Sequence, residues 1–145
     1  MTDTGKNKQR EKIQLLMQDV VSGDAKRLKK GLDGLRSNGD VNVLPELLTY
    51  WTKVTDEPTQ KAIEQLFIDL KDSNSVSPIM EFLVKLEDQS LQTRLLNTIW
   101  NTKVDFSEHL ATFVRLAVHG DLETAIECLT IIENLEGPFQ EYQFL

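Results

Sequence analysis

The sequence predicts an all-α protein, a right-handed α-α superhelix (solenoid) of about four antiparallel helical hairpins. Three observations lead to this fold class. Apolar residues recur every three or four positions along almost the whole chain. The segments between these apolar runs are short and rich in helix-capping residues. Stretches of similar pattern also recur at a nearly constant interval, which is typical of stacked repeats.

Eight amphipathic stretches predict eight helices. Each places its apolar residues on one helix face, and no run shows the sustained alternation of a strand. The positions that define the stretches, and that we expect in the core, are Ile13, Leu16 and Val20; Leu28, Leu32 and Leu35; Leu44, Leu47, Leu48, Trp51 and Val54; Ile63, Leu66, Phe67 and Leu70; Ile79, Leu83 and Leu86; Leu91, Leu95 and Ile99; Phe106, Leu110, Phe113, Val114 and Ala117; and Leu122, Ile126 and Leu129.

Capping residues mark where these helices begin and end. The separators are SGD at 22–24, SNGD at 37–40, TDEP at 55–58, KDSNS at 71–75, EDQS at 87–90 and HGD at 119–121, together with the capping-box spacing of Asp105–Glu108. Pro45 is expected in the first turn of a helix, with Asn42 or Leu44 as the cap of that helix. Ser77 is expected to cap a helix that starts with Pro78.

The spacing of these features indicates a repeat of roughly 31–33 residues, within the range of helical repeat proteins. Pro45 and Pro78, each at the start of a first helix, lie one such interval apart. The second helices match when KAIEQLF at 61–67, TRLLNTI at 93–99 and TAIECLT at 124–130 are superposed, which aligns Ile63, Leu95 and Ile126. A helix–turn–helix unit of this length buries its faces against its neighbours in a stack.

The repeated segments resemble the HEAT-repeat family. LPELLTYWTKVTDEPTQKAIEQLFIDL, at 44–70, has a leucine-proline opening, an apolar first helix, an acidic turn and an alanine-containing second helix. SPIMEFLVKLEDQSLQTRLLNTIW at 77–100 and EHLATFVRLAVHGDLETAIECLTII at 108–132 are similar, and KIQLLMQDVVSGDAKRLKKGLDGL at 12–35 is a degenerate fourth copy. The signatures of tetratricopeptide and ankyrin repeats are absent.

The resemblance implies one HEAT-like domain over residues 9–136, with units of about 9–38, 41–72, 76–103 and 105–136. Residues 1–8 are expected to form a flexible polar tail. The segment 137–145 contains Phe139, Tyr142, Phe144 and Leu145, and we expect it to cap the last hairpin, as solenoid ends require.

Composition favours a cytoplasmic protein of one domain. The chain has 145 residues, a single cysteine and no apolar run near the ~20 residues of a membrane helix. Its polar start lacks the apolar region of a signal peptide, and one cysteine excludes an internal disulfide. We expect Cys128 to be a small core or boundary residue, and the protein to be a monomer or a weak homo-oligomer.

The net charge of −7 is unevenly distributed. Residues 1–36 have nine Lys/Arg against five Asp/Glu, whereas residues 37–145 have seven against eighteen. An acidic body disfavours binding to nucleic acid, which requires clustered cations. The possible contacts for nucleic acid or an acidic partner are Lys26, Arg27, Lys29 and Lys30; a solvated helix face is the alternative.

The residues that could carry catalysis are few. His109 and His119 lie on one predicted helix at a spacing that is not a chelating one, and no glycine-rich phosphate loop or paired cysteines occur. We therefore expect no catalytic residues, no metal and no cofactor. Gly31 and Gly34 inside a predicted helix are expected to permit close helix packing.

A candidate binding ridge follows from the geometry of the second helices. In the helix at 61–70 the apolar residues set the core direction, and Ile68 points roughly away from it. The superposed repeats give Trp100 and Ile131 as its equivalents. We call Ile68, Trp100 and Ile131 the ridge; its expected flanking residues are Glu64, Arg94, Asn97 and Glu127. Packing between repeats is the other explanation for these apolar residues.

The family resemblance implies a non-catalytic protein–protein interaction module or scaffold, because second helices line the concave, partner-binding side of HEAT-like proteins. The expected partner is an unidentified protein. Two alternatives remain open at this stage: a nucleic-acid-associated protein that uses the basic first hairpin, and an enzyme subunit or lyase on a helical-repeat scaffold.

Overall fold

A computed structural model of the protein describes residues 2–38 and 40–135. Over these residues the chain contains eight α-helices, three short 3-10 helices and no strand, which confirms the all-α prediction. The α-helices are α1 Thr2–Val20, α2 Ala25–Asn38, α3 Leu44–Lys53, α4 Glu57–Asp69, α5 Val76–Lys85, α6 Gln89–Asn101, α7 Leu110–His119 and α8 Leu122–Asn134. The 3-10 helices are Val41–Val43, Ser73–Ser75 and Ser107–His109.

The chain divides into two compact units after Leu66. In the first unit α1 packs against α2, and the α3 residue Trp51 is fully buried, as predicted. In the second unit α7 and α6 both pack against α8. The second helices of the last two hairpins are therefore neighbours, which is the packing that stacked hairpins require.

The predicted tail at residues 1–8 is wrong for the part that the structure describes. Helix α1 begins at Thr2 and runs without interruption through residues 2–8. This segment is polar on every side, so the apolar periodicity that reveals the other helices is missing from it. Two of its residues, Lys6 and Lys8, are nevertheless good helix formers. The predicted cap at 137–145 lies outside the described residues.

Three consecutive hairpins share one plan. Each has a three-residue 3-10 turn, a ten-residue first helix and a thirteen-residue second helix. The first hairpin differs, because its helices have 19 and 14 residues. The described residues thus contain three matched hairpins, which follow an atypical first hairpin. The right-handed superhelix stays a prediction.

An aspartate precedes the second helix of each matched hairpin. Asp56, Asp88 and Asp121 accept hydrogen bonds from the backbone N–H groups three residues ahead, at distances of 3.0, 3.1 and 2.8 Å. These bonds satisfy N–H groups that have no partner within the helix. The separators TDEP, EDQS and HGD therefore supply the caps that the sequence predicted.

A second aspartate precedes each 3-10 turn, and here the predicted caps need correction. Asp40, Asp72 and Asp105 accept the N–H of the residue two positions ahead, each at 2.9 Å. Asn42 and Ser77 are therefore not caps: Asn42 lies inside a 3-10 turn and Ser77 inside α5. Asp105 likewise bonds two residues ahead, whereas a capping box requires three.

These turns lead directly into the first helices. Helix α3 begins at Leu44, and Pro45 lies in its first turn, as predicted. Helix α5 begins at Val76, two residues before Pro78. The residues immediately before these helices, Val43 and Ser75, make no side-chain capping bond. Proline in a first turn sacrifices no helical hydrogen bond, which explains why both positions tolerate it.

The glycines of α2 permit the close approach to α1, as predicted. A Cβ atom on Gly31 would lie 2.7 Å from the Leu16 carbonyl oxygen and 2.8 Å from Val20 Cγ2. A Cβ atom on Gly34 would overlap Leu16 Cδ2. Backbone and side-chain atoms of α1 occupy the space that any larger residue would need.

Replacing Gly31 by alanine should destabilise the protein in spite of alanine's better helix propensity. Overpacking costs about 1–3 kcal/mol, whereas the gain in propensity is about 1 kcal/mol. Urea unfolding measures the difference. Gly5→Ala is the matched control, because a Cβ atom on Gly5 would have no atom within 4 Å. Equal effects of the two substitutions would show that α1 and α2 do not approach so closely.

The cap at Asp121 predicts a pH dependence of stability. The Thr124 backbone N–H holds the pKa of Asp121 below its ordinary value of 3.8. A lowered pKa in the folded state stabilises above 3.8, and this contribution disappears as pH falls through the folded value. The Asp121→Asn variant retains an acceptor that does not titrate. Wild type should therefore lose its stability advantage over this variant below pH 3.8 in urea unfolding, and an advantage constant with pH would contradict the role of the carboxylate.

Candidate interaction surface

The C-terminal end of α6 presents the more exposed of the two tryptophans. Trp100 is 40% exposed, whereas Trp51 is fully buried. Helix α6 places Trp100 next to Ile99, which is buried, so the two neighbours point to different faces of the helix. The cap at Asp88 marks the start of α6, where its side chain accepts a hydrogen bond from the Leu91 N–H.

A cleft of about 400 Å³ lies beside Trp100. Its lining includes the buried residues Ile99, Ile131 and Phe106, and the more exposed Lys103 and Asn134. The ring of Phe106 packs edge-on against that of Phe113, with centroids 6.4 Å apart. The cleft therefore combines apolar walls with a polar rim, as binding pockets do.

Three of the predicted flanking residues lie on α6 and α8, the helices that carry Trp100 and Ile131. Asn97 Nδ2 lies 3.4 Å from Glu127 Oε2, which is a long hydrogen bond between the two helices. Arg94 is half-buried one turn before Asn97 on α6 and has an interaction partner. Of the predicted flanking residues, Asn97, Glu127 and Arg94 thus lie together on the second unit.

Ile131 is wrong as a ridge residue, because it is buried at 3% exposure. The starts of the matched helices show the reason. Helix α6 begins at Gln89 and α8 at Leu122, so the sequence superposition of these two helices is two positions out of register. The residue equivalent to Trp100 is therefore Glu133. Ile68 occupies the same position in α4 and is half-buried.

Glu64 is wrong as a flanking residue. It is buried at 9% exposure, and its Oε2 accepts a hydrogen bond of 2.8 Å from Trp51 Nε1. This bond satisfies the indole N–H in the core between α3 and α4. Glu64 serves the folding of the first unit, where a buried tryptophan needs an acceptor.

The same error in register affects the predicted core of α8. The equivalent of Ile63 and Leu95 is Cys128, which is fully buried, whereas Ile126 is 53% exposed. Alignment of the repeats by residue type pairs Ile126 with Ile63 and Leu95, because isoleucine is similar to these residues and cysteine is not. The connection between α6 and the following 3-10 turn is also longer than the connection between α4 and its following 3-10 turn. The periodicity of apolar residues within helices does not reveal the length of such connections.

Cys128 is poorly suited to nucleophilic chemistry. Burial raises the pKa of its thiol to about 11, and the negative charge of Glu127 contributes in the same direction. The thiolate is the reactive form of cysteine, and it is scarce at neutral pH when the pKa is this high. Cys128 therefore acts as a small core residue, as expected.

The basic candidates on α2 are partly neutralised by acids of the same hairpin. Arg27 Nε lies 3.0 Å from Asp19 Oδ1, and Lys29 Nζ lies 3.9 Å from Asp33 Oδ2. Lys26 and Lys30 are exposed on the same helix. A cation already paired with a carboxylate contributes less to binding phosphate groups.

The histidines lie on different elements. His109 ends the 3-10 turn before α7, and His119 ends α7, so they are not on one helix as predicted. Within residues 2–38 and 40–135, no group of three or more His, Cys, Asp or Glu residues is placed to hold a metal ion. No helix in the same part of the chain combines the length and the apolar character needed to cross a membrane.

Sequence reasoning missed an exposed apolar stripe on α8. Leu122, Ile126 and Leu129 were expected in the core, yet they are 76%, 53% and 51% exposed. The residues of α8 that are buried are Thr124, Cys128 and Ile131. The i, i+4, i+7 spacing of the stripe revealed an apolar face correctly but could not show that a second face of α8 forms the core.

Comparison with known proteins identifies no relative. The chain matches no protein-family model, no curated protein and no solved structure. The HEAT-like interpretation therefore rests on the sequence pattern and the repeated hairpins of the structure.

Proposed function

We propose that the protein is a non-catalytic protein–protein interaction module, a HEAT-like α-solenoid that binds its partner at the cleft beside Trp100. The partial exposure of Trp100 is the observation that carries the proposal. Tryptophan is among the residues most enriched in the energetic centres of protein interfaces. Its ring supplies a large apolar contact area together with an N–H donor.

The cleft suits a single apolar side chain of the partner. Ile99, Ile131 and Phe106 supply apolar walls that stay dry once such a side chain covers them. Lys103 and Asn134 supply polar groups at the edge, where they can bind the partner's backbone. An apolar anchor within a polar rim is the usual anatomy of a protein interface.

The charge of the second unit favours a basic partner. Residues 67–145 contain five Lys/Arg against thirteen Asp/Glu, which gives a net charge of −8. Such an excess attracts cations and accelerates association at low ionic strength. The partner that fits best is a protein segment with one large apolar residue flanked by lysine or arginine.

Substituting Trp100 by alanine tests the proposal. If the indole is an interface centre, Trp100→Ala should weaken partner binding by about 2 kcal/mol or more, roughly 30-fold in Kd. The measurement is affinity capture with wild-type and variant baits, followed by titration of a protein that only the wild type retains. Circular dichroism would establish that the variant is folded.

Val84→Ala is the matched control for this experiment. Val84 is 53% exposed on α5 and is not among the residues lining the cleft, so its truncation should leave binding unchanged. Equal capture by wild type, Trp100→Ala and Val84→Ala would contradict a binding role for the cleft.

A further inference from the structure

A groove runs along α1 in the first unit, between this helix and residues 40–53, which hold the first 3-10 turn and α3; we call it the α1–α3 groove. It consists of two cavities of about 730 and 450 Å³. On α1 the first cavity is lined by residues within 5–14 and the second by Met17, with Val21 just beyond the helix. Glu46 of α3 lines both cavities, so the two are continuous. At the helical rise the groove is about 24 Å long.

The floor of the α1–α3 groove is apolar. Ile13, Met17 and Val21 follow one another in steps of four residues along one side of α1. Ile13 and Met17 are buried, whereas Val21 is 47% exposed. The opposite side contributes the buried Val43 and the half-buried Tyr50. Tyrosine is enriched at the energetic centres of protein interfaces, so the groove combines an apolar floor with an aromatic side chain suited to binding.

We propose that the α1–α3 groove binds an amphipathic α-helix of a partner protein. The helical walls present no strand edge to an extended peptide, whose backbone groups would lose their hydrogen bonds, whereas a helix satisfies its own. The four-residue steps of Ile13, Met17 and Val21 match the i, i+4, i+7 apolar positions of a helix that lies alongside α1. A groove of about 24 Å holds a helix of about 16 residues.

The charged side chains of the groove define the polar edge of the partner helix. Arg10 and Asp40 line the first cavity, Lys53 lines the second, and Glu46 lies where the two meet. A complementary helix has a basic residue near its middle to face Glu46 and an acidic residue near the end that faces Lys53.

The groove has no net charge, because its two cations balance its two carboxylates. The first unit as a whole is also nearly neutral, since residues 1–66 contain eleven Lys/Arg against ten Asp/Glu. Nucleic acid requires clustered cations and is therefore disfavoured as the occupant. The balance also separates this partner from the basic segment proposed for the cleft beside Trp100.

Selection from a displayed library of amphipathic helices of about 16 residues, with the full chain as bait, tests the proposal. The recovered helices should bind the Val21→Asp variant at least about tenfold more weakly than wild type, because the new carboxylate would meet their apolar face. Leu15→Asp is the matched control. Leu15 is 62% exposed on the same helix and is not among the residues lining either cavity, so this variant should bind like wild type.

A pair of substitutions at Tyr50 examines the opposite wall. Tyr50→Ala should weaken binding of the same helices about tenfold, whereas Tyr50→Phe keeps the ring and should retain most of the affinity. Circular dichroism would establish that each variant is folded. Because the groove is neutral, binding should change by less than about threefold between roughly 0.05 and 0.5 M salt.

The proposal would be overturned if no helix from the library bound the full chain, or if Val21→Asp bound the recovered helices as tightly as wild type. A chain that is dimeric by light scattering and becomes monomeric on Val21→Asp would assign the groove to a second copy instead. Helices that lose affinity on Trp100→Ala but not on Val21→Asp would also contradict it. The groove and the cleft belong to different units, so either proposal can fail without the other.

Discussion

The helices of this protein depend on aspartate side chains at the starts of turns and helices. The carboxylates of these aspartates accept hydrogen bonds from backbone N–H groups. The six that recur in the three matched hairpins are Asp40, Asp56, Asp72, Asp88, Asp105 and Asp121. Helices as short as those of the matched hairpins are marginal on their own in water. The caps satisfy N–H groups at the start of each helix, and burial of the apolar face supplies most of the stability of the helix.

The same register determines which residues remain on the surface. In α8, which begins at Leu122, Cys128 and Ile131 face the core, whereas Leu122, Ile126 and Leu129 face outward. In α6, which begins at Gln89, Ile99 is buried and its neighbour Trp100 is exposed. The proposed binding cleft and the exposed apolar residues of α8 are thus products of the arrangement that builds the core, and the cleft shares Ile99, Ile131 and Phe106 with that core.

Much of the fold could be predicted from the sequence, because helix periodicity and capping are local properties. The helices, the first-turn position of Pro45, the burial of Trp51 and the close approach at Gly31 all follow from residue type and spacing. The polar start of α1 could not be found this way, because a helix without an apolar face leaves no periodic signal. The aspartate-led 3-10 turns could not be predicted either, because their hydrogen bonds reach two residues ahead, whereas the caps of α-helices reach three.

The candidate site was harder to predict, because it depends on register between repeats. The alignment of the α6 and α8 sequences is two positions shorter than the distance between the starts of these helices. It therefore placed Ile131 on the ridge and Ile126 in the core, whereas the helix starts make Glu133 the equivalent of Trp100. Glu64 looked like a surface acid, and only the three-dimensional structure brings it to the Trp51 indole. Asn97 on α6 does lie within 3.4 Å of Glu127 on α8, because α6 and α8 are packing neighbours.

Thiol reactivity tests this register most directly. The account predicts that Cys128 in the native protein reacts with a disulfide reagent far more slowly than an exposed thiol, and becomes reactive only on unfolding. The Ile126→Cys variant should add one rapidly reacting thiol, because position 126 faces solvent. Rapid reaction of Cys128 in the folded protein, together with a protected thiol at position 126, would show that the third matched hairpin has the other register and would contradict the account.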